Sequence, residues 1–334
     1  MESQQSSPKI QWSPKHVLVT GGCGFIGSNF VNYMVKKYPT IHFYNIDCLN
    51  YCASVDNITK TNQAAPNYTL IKGDITSYDL ISHILTTSSI DCIIHFAAQS
   101  HVDGSFTNSF QYTRDNVQGT HVLLEASRTY GKIQRFIHVS TDEVYGESGA
   151  EDISIKTEKS MLVPTNPYAA TKAAAEMLVC SYYKSFRLPV IISRGNNVYG
   201  PNQYPEKLIP KFITYMKQNT PCTIHGDGQA LRNFLYVSDV VHAFEKLLFQ
   251  GVIGEIYNIG GNEQTEISVM DITHRLCELI KGRPLDLTKD VAFVADRHFN
   301  DQRYWISNDK LRALGWEPQI DLATGLQLTI DSFN

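Results

Sequence analysis

Thr20-Gly21-Gly22-Cys23-Gly24-Phe25-Ile26-Gly27 follows the apolar run His16-Val17-Leu18-Val19-Thr20 without a break. Gly21, Gly24 and Gly27 form a G-x-x-G-x-x-G turn between a buried strand and a helix reaching about Lys37. Such a turn lets the backbone approach a pyrophosphate, whose charge then falls on the helix N-terminus. Glycine also serves ordinary tight turns. The context carries the inference, because Asp47 closes the next strand twenty residues past Gly27. An acid there accepts from adenosine ribose hydroxyls and repels a 2′-phosphate, for which Cys48, Leu49 and Asn50 supply no arginine. NAD is therefore preferred to NADP; a plain turn cap is the other reading of Asp47.

The alternation continues outward. Residues 41–46, 68–71, 91–96, 135–140 and 188–193 read as short buried strands, with helical patterns at 120–129 and 167–186 between them. Strands alternating with helices predict an α/β fold with a Rossmann-type, doubly wound parallel sheet. After Ser193 the rhythm changes to a loop rich in Asn, Gly, Pro and Tyr, a helix over 208–217, strands near 234–237 and 255–259, and a helix over 269–280. That stretch reads as too irregular to extend the first sheet, although part of 229–259 could complete it. The expected division is a mobile tail at 1–14, an NAD-binding domain at 15–194, and a smaller mixed α/β substrate-binding domain at 195–334.

The chain has 334 residues, 43% hydrophobic, and a net charge of −4. That length allows about two domains, and the charge offers no footprint for nucleic acid or an anionic membrane. No apolar run approaches the roughly 20 residues of a membrane span. The polar N-terminus lacks the apolar core of a signal peptide. Seven cysteines, at 23, 48, 52, 92, 180, 222 and 277, include no CxxC and no completed zinc spacing. A cytoplasmic, metal-free protein is expected.

Two further constellations carry chemistry. Ser140-Thr141-Asp142-Glu143-Val144-Tyr145-Gly146 puts adjacent carboxylates where a strand runs out. Within a strand they would face opposite sides; at a turn both can reach one cleft and serve as separate acid and base. A solvated acidic turn is the plain alternative. Tyr168 and Lys172 lie four apart on one helix face, where a neighbouring ammonium would lower the phenol toward working pH.

With the glycine turn and His95-Phe96-Ala97-Ala98-Gln99-Ser100, the chain resembles the extended short-chain dehydrogenase/reductases. Ser-Thr-Asp-Glu-Val-Tyr-Gly is similar to the signature of the nucleotide-diphosphate-glucose 4,6-dehydratases. The resemblance implies a mechanism. Tyr168 deprotonates the C4 hydroxyl with Thr141 bonding the same oxygen, Glu143 removes the C5 proton, Asp142 protonates the departing C6 hydroxyl, and hydride returns to C6. It also implies tightly held, recycled NAD against Gly21, Gly24, Phe25, Ile26, Gly27, Asp47, Asn50, Asp74, Ile75, Phe96, Ala97, Ala98, Tyr168 and Lys172. A nucleotide sugar is implied against Ser100, Thr141, Asn197, Lys207, Leu208, Arg232, Arg297 and Tyr304.

Gly195-Asn196-Asn197-Val198-Tyr199-Gly200-Pro201 and Phe299-Asn300-Asp301-Gln302-Arg303-Tyr304 depart from the bacterial dTDP-glucose pattern. Both resemble the first module of plant-type UDP-rhamnose synthases, which implies UDP-glucose over dTDP-glucose. No second epimerase/reductase module follows, so completing rhamnose is expected to need another protein. A homodimer through helices of the first domain is implied. The rival readings are a sugar-nucleotide 4-epimerase, against which the Asp142-Glu143 pair argues, and a non-catalytic NAD-binding regulator.

Overall fold

The computed structural model describes residues 12–146, 155–261, 266–295 and 305–333. Its strands are β1 (His16–Thr20), β2 (His42–Asp47), β3 (Tyr68–Lys72), β4 (Cys92–His95), β5 (Arg135–Thr141), β6 (Val190–Gly195), β7 (Asn197–Tyr199), β8 (Cys222–His225), β9 (Leu231–Tyr236), β10 (Ile256–Ile259), β11 (Glu266–Ser268) and β12 (Val291–Val294). Seven of them form one sheet in the order β10-β6-β5-β4-β1-β2-β3, with every pairing parallel. Smaller groups, β11-β9-β7 and β12-β8, lie in the second half.

The apolar runs are continuous because both faces of the sheet are covered. Strand alternation divides each run between two cores. Val17 and Val19 of β1, with Cys92 and Ile94 of β4, enter one core; Leu18 and Ile93 enter the other. The helices Phe25–Lys37 and Val237–Gln250 cover the first face. Tyr78–Thr87, Gly119–Tyr130 and Pro167–Phe186 cover the second. Each fully buried aliphatic side chain contributes about 1.5–3 kcal/mol of burial. A third core around Tyr199, Phe212, Ile224 and Leu326 holds the second half together.

Part of 229–259 completes the sheet, as one reading of the sequence allowed, and that stretch is not too irregular to extend it: β10 pairs with β6, and Val237–Gln250 packs beside the first helix. A four-residue strand set between irregular segments carries too little pattern to be assigned to a distant partner. Nor is the whole of 1–14 a free tail, since the Arg135 guanidinium lies 5.0 Å over the Trp12 ring and Pro14 is buried. All seven cysteines are free thiols. Among the described residues no helix is long and apolar enough to cross a membrane, and no three His, Cys, Asp or Glu side chains cluster as a metal site.

Candidate active site

Strand order reverses between β1 and β4, which opens a crevice at the carboxyl ends of the strands. A cavity of about 630 Å³ lies there. The glycine turn forms its floor for steric reasons. Gly21 has φ +69°, and a Cβ on it would fall 2.7 Å from the Ala97 backbone. A Cβ on Gly27 would fall 2.3 Å from the Gly21 carbonyl oxygen. No side chain caps the helix that starts at Phe25, so its first donors face the cavity, as a diphosphate requires. The cradle fits a dinucleotide.

Gly24, Phe25, Ile26, Asp47, Asn50, Asp74, Ile75, Phe96, Ala97 and Ala98 line the same cavity. Asp47 accepts from Cys23 N at 2.9 Å and from Leu49 N at 2.8 Å. Burial pushes its carboxyl up, opposed by those two backbone donors. Each oxygen keeps a second lone pair for a ribose hydroxyl. The turn-cap reading and the ribose reading of Asp47 are therefore compatible. Asp74 is paired with Arg114 at 2.7 Å.

Thr141 ends β5, and Asp142–Tyr145 turns at once into a 3₁₀ helix capped by the Thr141 hydroxyl. The strand's alternation stops there, so Asp142 and Glu143 both line the cavity. Different asparagines hold them. Asn196 Nδ2 donates to Asp142 Oδ2 at 2.6 Å, and Asn166 Nδ2 donates to Glu143 Oε2 at 2.9 Å. Asp142 is buried and Glu143 half-buried. Two carboxylates with different partners and different solvent access can take different protonation states.

The helix Pro167–Phe186 begins with Pro at its first position and Asn166 as its cap, and it delivers Tyr168 and Lys172 to the cavity wall. The electrostatics differ from the sequence expectation. Lys172 Nζ donates to the Val139 carbonyl at 2.6 Å, and burial lowers its ammonium to about 8. Tyr168 is held well above the usual phenol range, by burial first and then by the Glu143 charge, while the Thr141 hydroxyl acts in the opposite direction. In this geometry the cation does not offset those effects. Spacing puts the two groups on one face but is blind to a carbonyl on β5.

A second cavity of about 230 Å³ shares Asp142, Glu143, Asn197 and Lys207 with the first and adds Leu208 and Arg232. Lys207 Nζ donates to the Ser100 carbonyl at 2.7 Å, and burial lowers its ammonium. Ser100 itself lines the larger cavity. Arg297 and Tyr304 lie outside the described residues.

The family model described as GDP-mannose 4,6 dehydratase matches residues 18–329. The chain belongs to this family. Among members of the GDP-mannose 4,6 dehydratase family it is 48% identical over 320 residues to a trifunctional protein of Arabidopsis thaliana. That relative is named UDP-glucose 4,6-dehydratase/UDP-4-keto-6-deoxy-D-glucose 3,5-epimerase/UDP-4-keto-L-rhamnose-reductase; the match covers 96% of this chain and 47% of the relative. The chain thus spans about half the length of that plant relative. It is 46% identical to the dTDP-D-glucose 4,6-dehydratase of Homo sapiens, covering 95% of this chain and 89% of that one. The dTDP-glucose 4,6-dehydratase of Streptomyces venezuelae, solved with NAD bound, superposes with a TM-score of 0.88 at 37% identity, covering 95% and 96% of the two chains.

Sequence reasoning missed the supports of the acid turn. Asn166 was visible only as a helix start, and Asn196 only as part of a loop motif. Arg194 of β6 pairs with Glu176 at 2.6 Å with both side chains buried, and donates to Tyr145 Oη at 2.8 Å. Tyr145 in turn donates to Asn258 Oδ1 at 2.8 Å. This network ties the end of the acid turn to the helix of Tyr168 and to β10. The available signal was Arg194 and Glu176, charges inside otherwise apolar segments, which need a partner when buried.

Proposed function

We propose that this chain is an NAD-dependent nucleotide-sugar 4,6-dehydratase that converts UDP-glucose to UDP-4-keto-6-deoxyglucose and water. The single observation carrying it is the Asp142-Glu143 turn, whose two carboxylates face one cavity on separate asparagine partners beside Tyr168. An epimerase exchanges configuration at C4 and has no proton to deliver at C6, so it has no use for such a pair.

Bound NAD would supply the oxidation at C4 and the matching reduction at C6. Gly21, Gly24 and Gly27 would admit its diphosphate to the helix start, Asp47 would hold the adenosine ribose, and Phe96 to Ala98 would line its path. Tyr168 would take the C4 hydroxyl proton, with the Thr141 hydroxyl on the same oxygen. The 4-ketone makes the C5 hydrogen acidic, and Glu143 would remove it. Asp142 would donate a proton to the C6 hydroxyl, which leaves as water, and Glu143 would return a proton to C5. Lys172 would be the cation of the site, one helical turn beyond Tyr168.

Lys207 and Arg232 would take the sugar nucleotide's diphosphate, with Arg297 and Tyr304 as further contacts; guanidinium groups suit that anion through paired donors. UDP-glucose is favoured over dTDP-glucose by the likeness of the 195–201 and 299–304 segments to the plant-type pattern. A cytoplasmic homodimer is part of the proposal, supported by the exposed Phe106, Phe110 and Met177 on helices of the first half. A 3,5-epimerase and a reductase would consume the 4-keto product on the way to rhamnose. Incubation with UDP-glucose followed by mass analysis tests the proposal: product lighter by one water supports it, and an isomer of unchanged mass refutes it.

A further inference from the structure

Asn166 stands where two demands meet. It precedes the helix Pro167–Phe186 in extended conformation, and its Oδ1 accepts from Ala169 N at 2.8 Å, satisfying one donor that the helix start leaves open. That bond fixes the orientation of the amide. With the oxygen engaged by an N–H, Nδ2 faces the opposite way, and there it donates to Glu143 Oε2 at 2.9 Å. Asn166 is 4% exposed, so solvent does not compete for either end. Capping alone asks less, since an aspartate or a serine oxygen serves about as well. The donor directed at Glu143 is the part that capping leaves unexplained.

We propose that Asn166 is a positioning residue for the elimination step, locking Glu143 to the first turn of the helix that carries Tyr168 and Lys172. The inference rests on the 4,6-dehydratase reading above. The group that works at C5 and the group that works at C4 then keep one fixed separation. Among the described residues, charged and titratable groups facing Glu143 include Asp142 in its own turn, Tyr168 from the helix and Lys207 from the loop before Leu208. His101, Asp103 and Glu206 stand in the wall of the same cavity. Among them a neutral amide orients Glu143 without adding a charge beside the proton that Asp142 must deliver.

Asn166→Asp keeps the capping oxygen and replaces the donor with a second carboxylate; Asn166→Ser keeps a cap on a shorter arm. The full chain with NAD and UDP-glucose gives four readouts: thermal midpoint, KM against kcat, near-ultraviolet absorbance of reduced nicotinamide during turnover, and the pH profile. For Asn166→Asp the expected result is a near-normal midpoint and KM, with kcat lowered about 10- to 100-fold, the range of one lost charge-assisted hydrogen bond. Reduced nicotinamide should build up, because oxidation at C4 outruns elimination. A carboxylate beside Glu143 favours its protonated form, so the rate should recover as pH rises. Asn166→Ser should lose less and show no such pH displacement.

An unchanged kcat in Asn166→Asp, or a lowered kcat without accumulated reduced nicotinamide, overturns the proposal and leaves Asn166 as a cap. If Asn166→Asp does not fold, Asn166→Ser decides by the same kcat and absorbance readouts. Wild type and Glu143→Gln run alongside separate the two levels. A wild type that releases no dehydrated product, or a fully active Glu143→Gln, contradicts the dehydratase reading itself. If both behave as expected while Asn166→Asp matches wild type, only the role of Asn166 fails.

Discussion

The cofactor crevice and the acid turn share one cavity but are assembled in different ways. The crevice is local: Gly21 to Gly27 and Asp47 come from consecutive segments, and their spacing follows from how closely backbones must approach. The acid turn is assembled from distant parts. Glu143 is held from a residue 23 positions away and Asp142 from one 54 positions away. A dinucleotide cradle is thus a property of one turn and its neighbours, whereas the splitting of a carboxylate pair is a property of the whole fold.

If the two regions do separate work, damage to each should separate too. The largest effect is expected for the double substitution Asp142→Asn, Glu143→Gln. Dehydration should fall by about 10³-fold or more, the scale of lost general acid–base catalysis. Calorimetric NAD affinity should stay at the wild-type value, and a parallel loss of NAD would merge the two regions into one. Gly21→Ala should do the reverse. Its added Cβ meets the Ala97 backbone at 2.7 Å in left-handed geometry. Strain of about 1–3 kcal/mol is expected there, with NAD affinity lowered about 10- to 100-fold.

The pH dependence sharpens the same contrast. Burial lowers Lys172 to about 8, so its ammonium is present below that pH and lost as pH rises through it. If the ammonium is needed, kcat should fall above pH 8. Lys172→Arg, which stays charged, should remove that alkaline limb even if its overall rate is lower. An alkaline limb unmoved by the substitution would assign it to another group. The smallest effect belongs to the nucleotide. Uracil and thymine differ by one methyl, so UDP-glucose should exceed dTDP-glucose by only about 10-fold in kcat/KM. A preference for dTDP-glucose would reverse the substrate assignment and leave the dehydration chemistry intact.

Legibility followed the same division. The helices 167–186 and 208–217 were readable to the residue: Asn166 and Pro167 mark the start of the first, and apolar periodicity marks out the second. The six strands from β1 to β6 were readable within about two residues. β10 was readable as a strand near 255–259, but its partner was not, since pairing with β6 depends on the path of the 60 intervening residues (196–255) rather than on its own four. The acid pair itself was legible as a place where strand alternation ends. Its asparagine partners were not, because a side-chain amide carries no periodicity and its partner is set by the fold. The Lys172–Val139 bond shows the same limit from the other direction: helix spacing gave the face, and an adjacent strand captured the charge.

The central claim is that the carboxylate pair turns an oxidation at C4 into loss of water. Single-turnover incubation of the NAD-loaded chain with UDP-glucose in deuterated water tests it most directly, with product read by mass and by hydrogen content at C5. The expected product has lost one water and carries solvent deuterium at C5. A product of unchanged mass, epimerised at C4 with its C5 hydrogen retained, would contradict the account.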